Sequence, residues 1–166
     1  MTNPLADVAA EVVETLIRRK FTIAIAESLT GGLVVAELIG IPGASATVLG
    51  GVVAYNTELK HSVLGVDAEL LRENGPVHPE VARQMAAGVR VALAVGGRPA
   101  DVGISTTGVA GPAAQDGHVA GTVYLGIAID ERVSSLRLEL SGGREAIRAG
   151  TVSELLTQLN IMLNTA

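Results

Sequence analysis

Two residues of this chain have side chains that can act together in acyl transfer: Ser28 as an oxygen nucleophile and Lys60 as the base that takes its proton. A serine nucleophile needs a base, and no Ser-His-Asp arrangement is evident. A lysine serves only when its amine is neutral, which burial or a nearby positive charge favours by lowering its pKa. The two residues are separated by a second apolar run, and position 31 is glycine, so no local S-x-x-K motif links them. They are expected to meet in space. Ser28 stands in Thr22-Ile-Ala-Ile-Ala-Glu27-Ser28-Leu29-Thr30-Gly31-Gly32, and Lys60 closes the cluster Tyr55-Asn56-Thr57-Glu58-Leu59-Lys60. The first stretch reads as strand, tight turn and helix start, which puts Ser28 and Thr30 at the carboxyl end of a buried strand, where open α/β sheets keep their ligands. Gly31 and Gly32 allow close approach to the backbone, and the free N–H groups beyond them suit a phosphate or an oxyanion. Taken alone, Ser28 also suits a helix cap and Lys60 a solvated helix lysine.

Other polar groups fall at similar junctions. Tyr55, one of two tyrosines, marks a change from strand to helix, suited to shuttling a proton or positioning Lys60, or simply to a half-buried strand tyrosine. Thr106-Thr107-Gly108-Val109-Ala110-Gly111-Pro112 offers hydroxyls and backbone donors to a ribose-phosphate or an amide carbonyl, although glycine loops often only turn corners. It matches neither the P-loop nor the dinucleotide-binding pattern. Arg144 and Arg148, one turn apart at a helix start, suit a phosphate clamp or a plain surface. His61, His78 and His118 share no metal-ligand spacing, so no metal site is expected, and they are assigned to caps, surface or loop.

Alternating helices and strands must position these groups. Leu5, Val8, Ala9, Val12, Val13, Leu16 and Ile17 recur at helical spacing, with a cap near Thr2 or Asn3 and Pro4 in the first turn. A strand over 22–27, a helix from about 31 to 39 and a strand over 48–55 follow, with a bulge or close packing at Gly50-Gly51. Asn56 or Thr57 caps a short helix carrying Lys60; Asp67 starts another, and His78-Pro79-Glu80 opens a longer one. A strand over 101–106 runs into the glycine loop. Strands over 122–129 and 133–140 form a hairpin around Asp130-Glu131-Arg132, and a last helix follows Gly142-Gly143. The predicted fold is α/β, a three-layer αβα sandwich with a mixed, mainly parallel sheet, in one domain over 1–166.

Composition narrows the function classes. Aromatic residues make up 2% of the chain, too few for base-stacking platforms, and a net charge of -5 without a Lys/Arg run gives phosphate backbones little attraction. Direct nucleic-acid binding is therefore not expected, while a small anionic ligand remains compatible with a local positive pocket. Absence of cysteine excludes disulfides, thiol nucleophiles and thiolate metal sites. Glycine and charge interrupt every apolar run short of a membrane span, and the N-terminus lacks a signal peptide's basic start. A soluble, cytoplasmic protein without membrane partners is expected.

Ala26-Glu27-Ser28-Leu29-Thr30-Gly31-Gly32, Pro42-Gly43-Ala44-Ser45, Gly51 through Tyr55-Asn56-Thr57-Glu58-Leu59-Lys60, Thr107-Gly108-Val109-Ala110-Gly111-Pro112, Gly121-Thr122-Val123 and Gly143-Arg144-Glu145 with Arg148 occur in this order over nearly the whole chain. In this combination the sequence resembles the CinA C-terminal domain family, the stand-alone nicotinamide-nucleotide amidohydrolases. The resemblance implies hydrolysis of the nicotinamide mononucleotide carboxamide to nicotinate mononucleotide and ammonia in NAD recycling, with Ser28 as nucleophile, Lys60 as base and a role for Tyr55. It implies no cofactor. Expected substrate contacts are Thr30, Gly31, Gly32, Asn56, Thr106, Thr107, Gly108, Ala110, Gly111, Arg144 and Arg148. The oxyanion is expected at the backbone N–H groups of Thr30 to Gly32, and self-association into a homo-oligomer is expected. After Gly111-Pro112 this chain departs from the glycine-rich, lysine-bearing family pattern, reading Ala113-Ala-Gln-Asp-Gly-His-Val-Ala120. Longer members carry an N-terminal domain resembling molybdopterin-binding proteins, which this chain does not show, so its pyrophosphatase activity is not expected. The alternative is a non-catalytic nucleotide- or partner-binding module linked to competence or the DNA damage response.

Overall fold

The computed structural model describes residues 4–165; the cap expected at Thr2 or Asn3 lies outside them. Helix α1 (Pro4–Arg19) leads to β1 (Ile23–Glu27) and α2 (Leu33–Ile39), then β2 (Val48–Val53), α3 (Thr57–Ser62), α4 (Ala68–Asn74) and α5 (Pro79–Ala92). Strands β3 (Val102–Gly108), β4 (Thr122–Ile129) and β5 (Arg132–Glu139) precede α6 (Arg144–Thr165). The sheet order is β2-β1-β3-β4-β5. Strand β1 pairs parallel with β2 and β3, whereas β3–β4 and β4–β5 pair antiparallel. Only β4 therefore runs against the other four strands.

Period-two alternation divides β1 between two cores. Ile23 and Ile25 join residues of α1, α2 and α6 on one face, while Ala24 and Ala26 face α5 with Val81, Met85 and Val89. Large aliphatic side chains fill the first layer, as the low aromatic content requires. The second layer is thin, because small residues let α5 approach the sheet closely. A Cβ at Gly103 would stand 2.0 Å from the Ala86 carbonyl oxygen, and one at Gly126 2.1 Å from that of Ala82. Any side chain there would push α5 away from the sheet.

Several element boundaries differ from the sequence expectation. Thr22 stays outside β1 because its N–H and hydroxyl both donate to Asp101 Oδ2, at 2.7 and 2.8 Å. Strand β3 continues to Gly108, its last residues pairing with Tyr124 and Val123. The hairpin turn is shorter than expected: Ile129 pairs with Arg132, leaving Asp130 and Glu131 at the tip. The irregularity at Gly50 is real, since the β1–β2 register slips between Ile23 and Ala24. A Cβ on Gly51 would stand 3.2 Å from Val35 Cβ, so α2 also packs tightly there.

Candidate active site

Parallel pairing of β1 with β2 and β3 brings three strand ends together. Ser28 follows β1, Ala54 and Tyr55 follow β2, and Thr106 to Gly108 end β3. Ala54 N–H donates to the Glu27 carbonyl at 2.8 Å, fixing the end of β2 against the end of β1. The Ala54 carbonyl then accepts from Lys60 Nζ at 2.7 Å. Helix α3 delivers that lysine; it starts at Asn56, whose side chain accepts from Glu58 N–H at 2.9 Å.

Lys60 Nζ lies 3.0 Å from Ser28 Oγ. Lys60 is 1% exposed, among the largest fully buried side chains, and no carboxylate forms an ion pair with it among the described residues. Burial disfavours its charged form and lowers its pKa from 10.5 to about 8. The amine is thus neutral in a substantial fraction of molecules at mildly alkaline pH. In that form it is able to accept the Ser28 hydroxyl proton across the same 3.0 Å contact.

Ser28 is free for this contact because another residue caps α2. Gly32 occupies the cap position with φ 103° and offers no side chain. The buried Glu27 carboxylate instead accepts from the N–H groups of Gly32, Val34 and Val35 at 3.0, 3.1 and 2.9 Å. The helix amides expected to hold an anionic ligand therefore already hold an internal carboxylate. Gly31 N–H is also engaged, donating to the Ser28 carbonyl at 3.2 Å. In this turn the Leu29 and Thr30 amides donate to no protein group among the described residues. Leu29 lines the cavity and Thr30 does not, so a free amide able to meet an oxyanion is available at Leu29, not at Gly31 and Gly32.

Ser28 and Lys60 open into a cavity of about 360 Å³. Thr107, Gly108, Ala110, Gly111 and Arg144 line it, as does Tyr55. Tyr55 is 63% exposed and its hydroxyl accepts from Arg144 Nη2 at 3.2 Å, so it forms no hydrogen bond to Lys60 and stands at the rim. Arg144 Nη1 donates to the Gly111 carbonyl at 2.9 Å. Thr107 Oγ1 donates to the Pro76 carbonyl at 2.6 Å, leaving its oxygen able to accept.

Other expected contacts lie outside the cavity lining. Thr30 and Thr106 are buried behind Ser28 with their hydroxyls 2.8 Å apart, and Ser28 N–H donates to the Thr106 carbonyl at 3.1 Å. Asn56 is occupied as the α3 cap. Arg148 turns away from a phosphate-clamp position: Nε and Nη2 donate to the carbonyls of Leu29 and Thr30 at 2.9 and 3.0 Å. Sequence reasoning missed Glu27, Leu29, Thr57, Pro76, Val77 and Gln115. Only Glu27 left a signal, as a carboxylate ending an otherwise apolar strand just before a helix. His61 Nδ1 meets the Val66 carbonyl, His78 caps α5 and His118 pairs with Gln115 across a turn. Among the described residues no group of three or more His, Asp or Glu side chains could hold a metal, and no helix is long and apolar enough to cross a membrane.

Comparison with known proteins adds a second line of observation. A family model described as the CinA C-terminal domain matches residues 5–163. The CinA-like protein of Frankia casuarinae is 43% identical over 152 residues, covering 92% of this chain and 34% of that protein. This chain thus spans about a third of the length of the curated relatives it matches. Two crystal structures from Klebsiella pneumoniae align with TM-scores of 0.90. One, of a competence-damaged protein (CinA) superfamily protein, is 31% identical and covers 99% of this chain and 100% of that one. The other, of the competence damage-inducible protein A, is 33% identical and covers 98% of each.

Proposed function

The chain belongs to the CinA C-terminal domain family, and from that premise we propose that it is a nicotinamide-nucleotide amidohydrolase, converting nicotinamide mononucleotide and water to nicotinate mononucleotide and ammonia. The observation that carries this reading is the 3.0 Å approach to Ser28 Oγ of a buried lysine that has no ion-pair partner among the described residues. A solvated helix lysine has no reason to bury its amine against a hydroxyl, whereas a general base does.

The reaction follows from the groups at hand. Neutral Lys60 takes the Ser28 proton as Oγ attacks the carboxamide carbon, and the developing oxyanion meets the Leu29 amide. Lys60 returns that proton to the departing nitrogen, ammonia leaves and an ester on Ser28 remains. Water then attacks the ester as Lys60 takes its proton, and Lys60 passes that proton to Ser28 Oγ as the intermediate collapses, restoring both residues and freeing the acid, which ionises to the carboxylate. Arg144 at the rim is the cation available to the phosphate, with Tyr55 beside it. The apolar wall from Pro76, Val77, Val109 and Ala110 suits the flat pyridine ring. That ring is cationic in the substrate, so its arrival disfavours the Lys60 ammonium further.

Ammonia release from nicotinamide mononucleotide, measured for the parent protein beside Ser28→Ala, tests this reading. Release by the parent and loss in the variant support it. Nucleotide binding without release by a folded parent protein supports the binding-module alternative.

A further inference from the structure

Glu27 and Arg148 remain without a part in the chemistry, yet both end on the turn that carries Ser28. Glu27 is 1% exposed and holds the Gly32 amide that ends the turn and the Val34 and Val35 amides of α2; Arg148 reaches across from α6 and holds two carbonyls within the turn. They form no ion pair with each other among the described residues. Each charge meets the backbone dipole end of opposite sign, N–H for the carboxylate and C=O for the guanidinium, through charge-assisted hydrogen bonds.

Taking the Ser28 nucleophile reading as its basis, we propose that Glu27 and Arg148 are positioning residues that hold this turn from opposite sides and aim the Leu29 amide at the oxyanion. A trans peptide unit points its N–H and C=O in opposite directions, so fixing one group fixes the other. Ser28 C=O accepts from Gly31 N–H, which directs the Leu29 N–H of the same unit away from the inside of the turn. Arg148 fixes the next two units through the Leu29 and Thr30 carbonyls. Glu27 fixes the following one through Gly32 N–H. Every peptide unit from Glu27 to Gly32 thereby has at least one partner. Gly31 fits the same arrangement: it has φ +59°, and a Cβ there would stand 3.4 Å from Arg148 Nη2. Arg148 thus acts on the substrate only through the turn.

Arg148→Lys and Glu27→Gln test this, each measured for kcat and KM in ammonia release and for amide hydrogen exchange over residues 31–35. Lysine supplies one point charge where the guanidinium spans two carbonyls, and the neutral glutamine amide weakens bonds that the carboxylate makes. The expected result is kcat lowered about 10- to 100-fold with KM within about twofold, the scale of a small misplacement of reacting groups. Exchange at these amides is expected to accelerate about tenfold or more as the turn opens locally. The pH midpoint set by Lys60 stays near 8 in both variants. A rise in KM at unchanged kcat in Arg148→Lys would overturn the proposal and assign Arg148 to the substrate; unchanged exchange and unchanged kcat in both variants would overturn it too. Should the parent release no ammonia, the amidase reading fails separately, and exchange alone then decides whether the two residues hold the turn. Where Glu27→Gln does not fold, Arg148→Lys carries the same readouts.

Discussion

The turn after β1 and the loop after β3 both follow buried strands and both face the cavity, but the protein holds them by different means. Between Glu27 and Gly32 each peptide unit has a partner, and the side chains of Glu27, Ser28 and Thr30 are buried. The loop over 109–121 is tied at its base, where Val109 N–H donates to Thr122 O at 2.9 Å and Gly121 N–H to Val109 O at 2.8 Å. Farther out, Arg144 holds the Gly111 carbonyl, Gln115 and His118 pair with each other, and residues 112–117 are exposed. Bond making needs reacting groups held within fractions of an ångström, whereas substrate selection tolerates an adjustable wall. Under the proposed amidohydrolase reading, chemistry belongs to the turn and recognition to the loop.

Substitutions should separate the two walls, beginning with the dyad. Ser28→Ala is expected to lower kcat at least about 10³-fold while nucleotide binding persists, as for removal of a nucleophile that acts as a unit with its base. Lys60→Met should lose activity to a similar degree but gain stability. The unfolded chain keeps the Lys60 proton up to pH 10.5 and the folded chain only to about 8, so between these values the unfolded state binds more protons and parent stability rises with pH. Below about pH 8 the burial cost is fully present, and Lys60→Met should be more stable there by up to about 3 kcal/mol, from the shift of 10.5 to about 8. Urea unfolding at pH 7 and pH 10 checks this, since the advantage must shrink at the higher pH.

Effects on the loop side should be smaller and appear in KM. Arg144→Ala is expected to raise KM about tenfold, the equivalent of about 1.4 kcal/mol, with kcat within about twofold. Steady-state kinetics that instead showed a large kcat loss would bring Arg144 into the chemistry and break the division between walls. Gln115→Ala, on the exposed tip, should change KM less than about threefold, and its thermal unfolding should match the parent within about 0.5 kcal/mol.

The same division explains what was legible in the sequence. The strand-turn-helix at Ser28, the β4–β5 hairpin and the His78 start of α5 follow from local patterns and adjacent residue types. Strand-end placement points Lys60 toward Ser28, and the two groups stand 3.0 Å apart. Arg144 and Arg148 looked equivalent because helical spacing gives the side of a helix but not its neighbours; one meets the rim and the other the Ser28 turn. Tyr55 could not be aimed from sequence, since a residue just past a strand end is free of the strand's alternation. Glu27 was hidden for another reason. It caps α2 from the last position of β1, reaching over a turn to a glycine cap, whereas a familiar N-cap signal sits at the cap position itself.

The measurement that bears most directly on the account is kcat/KM for ammonia release from nicotinamide mononucleotide between pH 6 and pH 10. The account requires a rise that levels off above a midpoint of about 8, the value burial imposes on Lys60, with the kcat midpoint lower because the cationic ring is then bound. Release that stays flat across this range, or no release from a folded protein that binds the nucleotide, would contradict it.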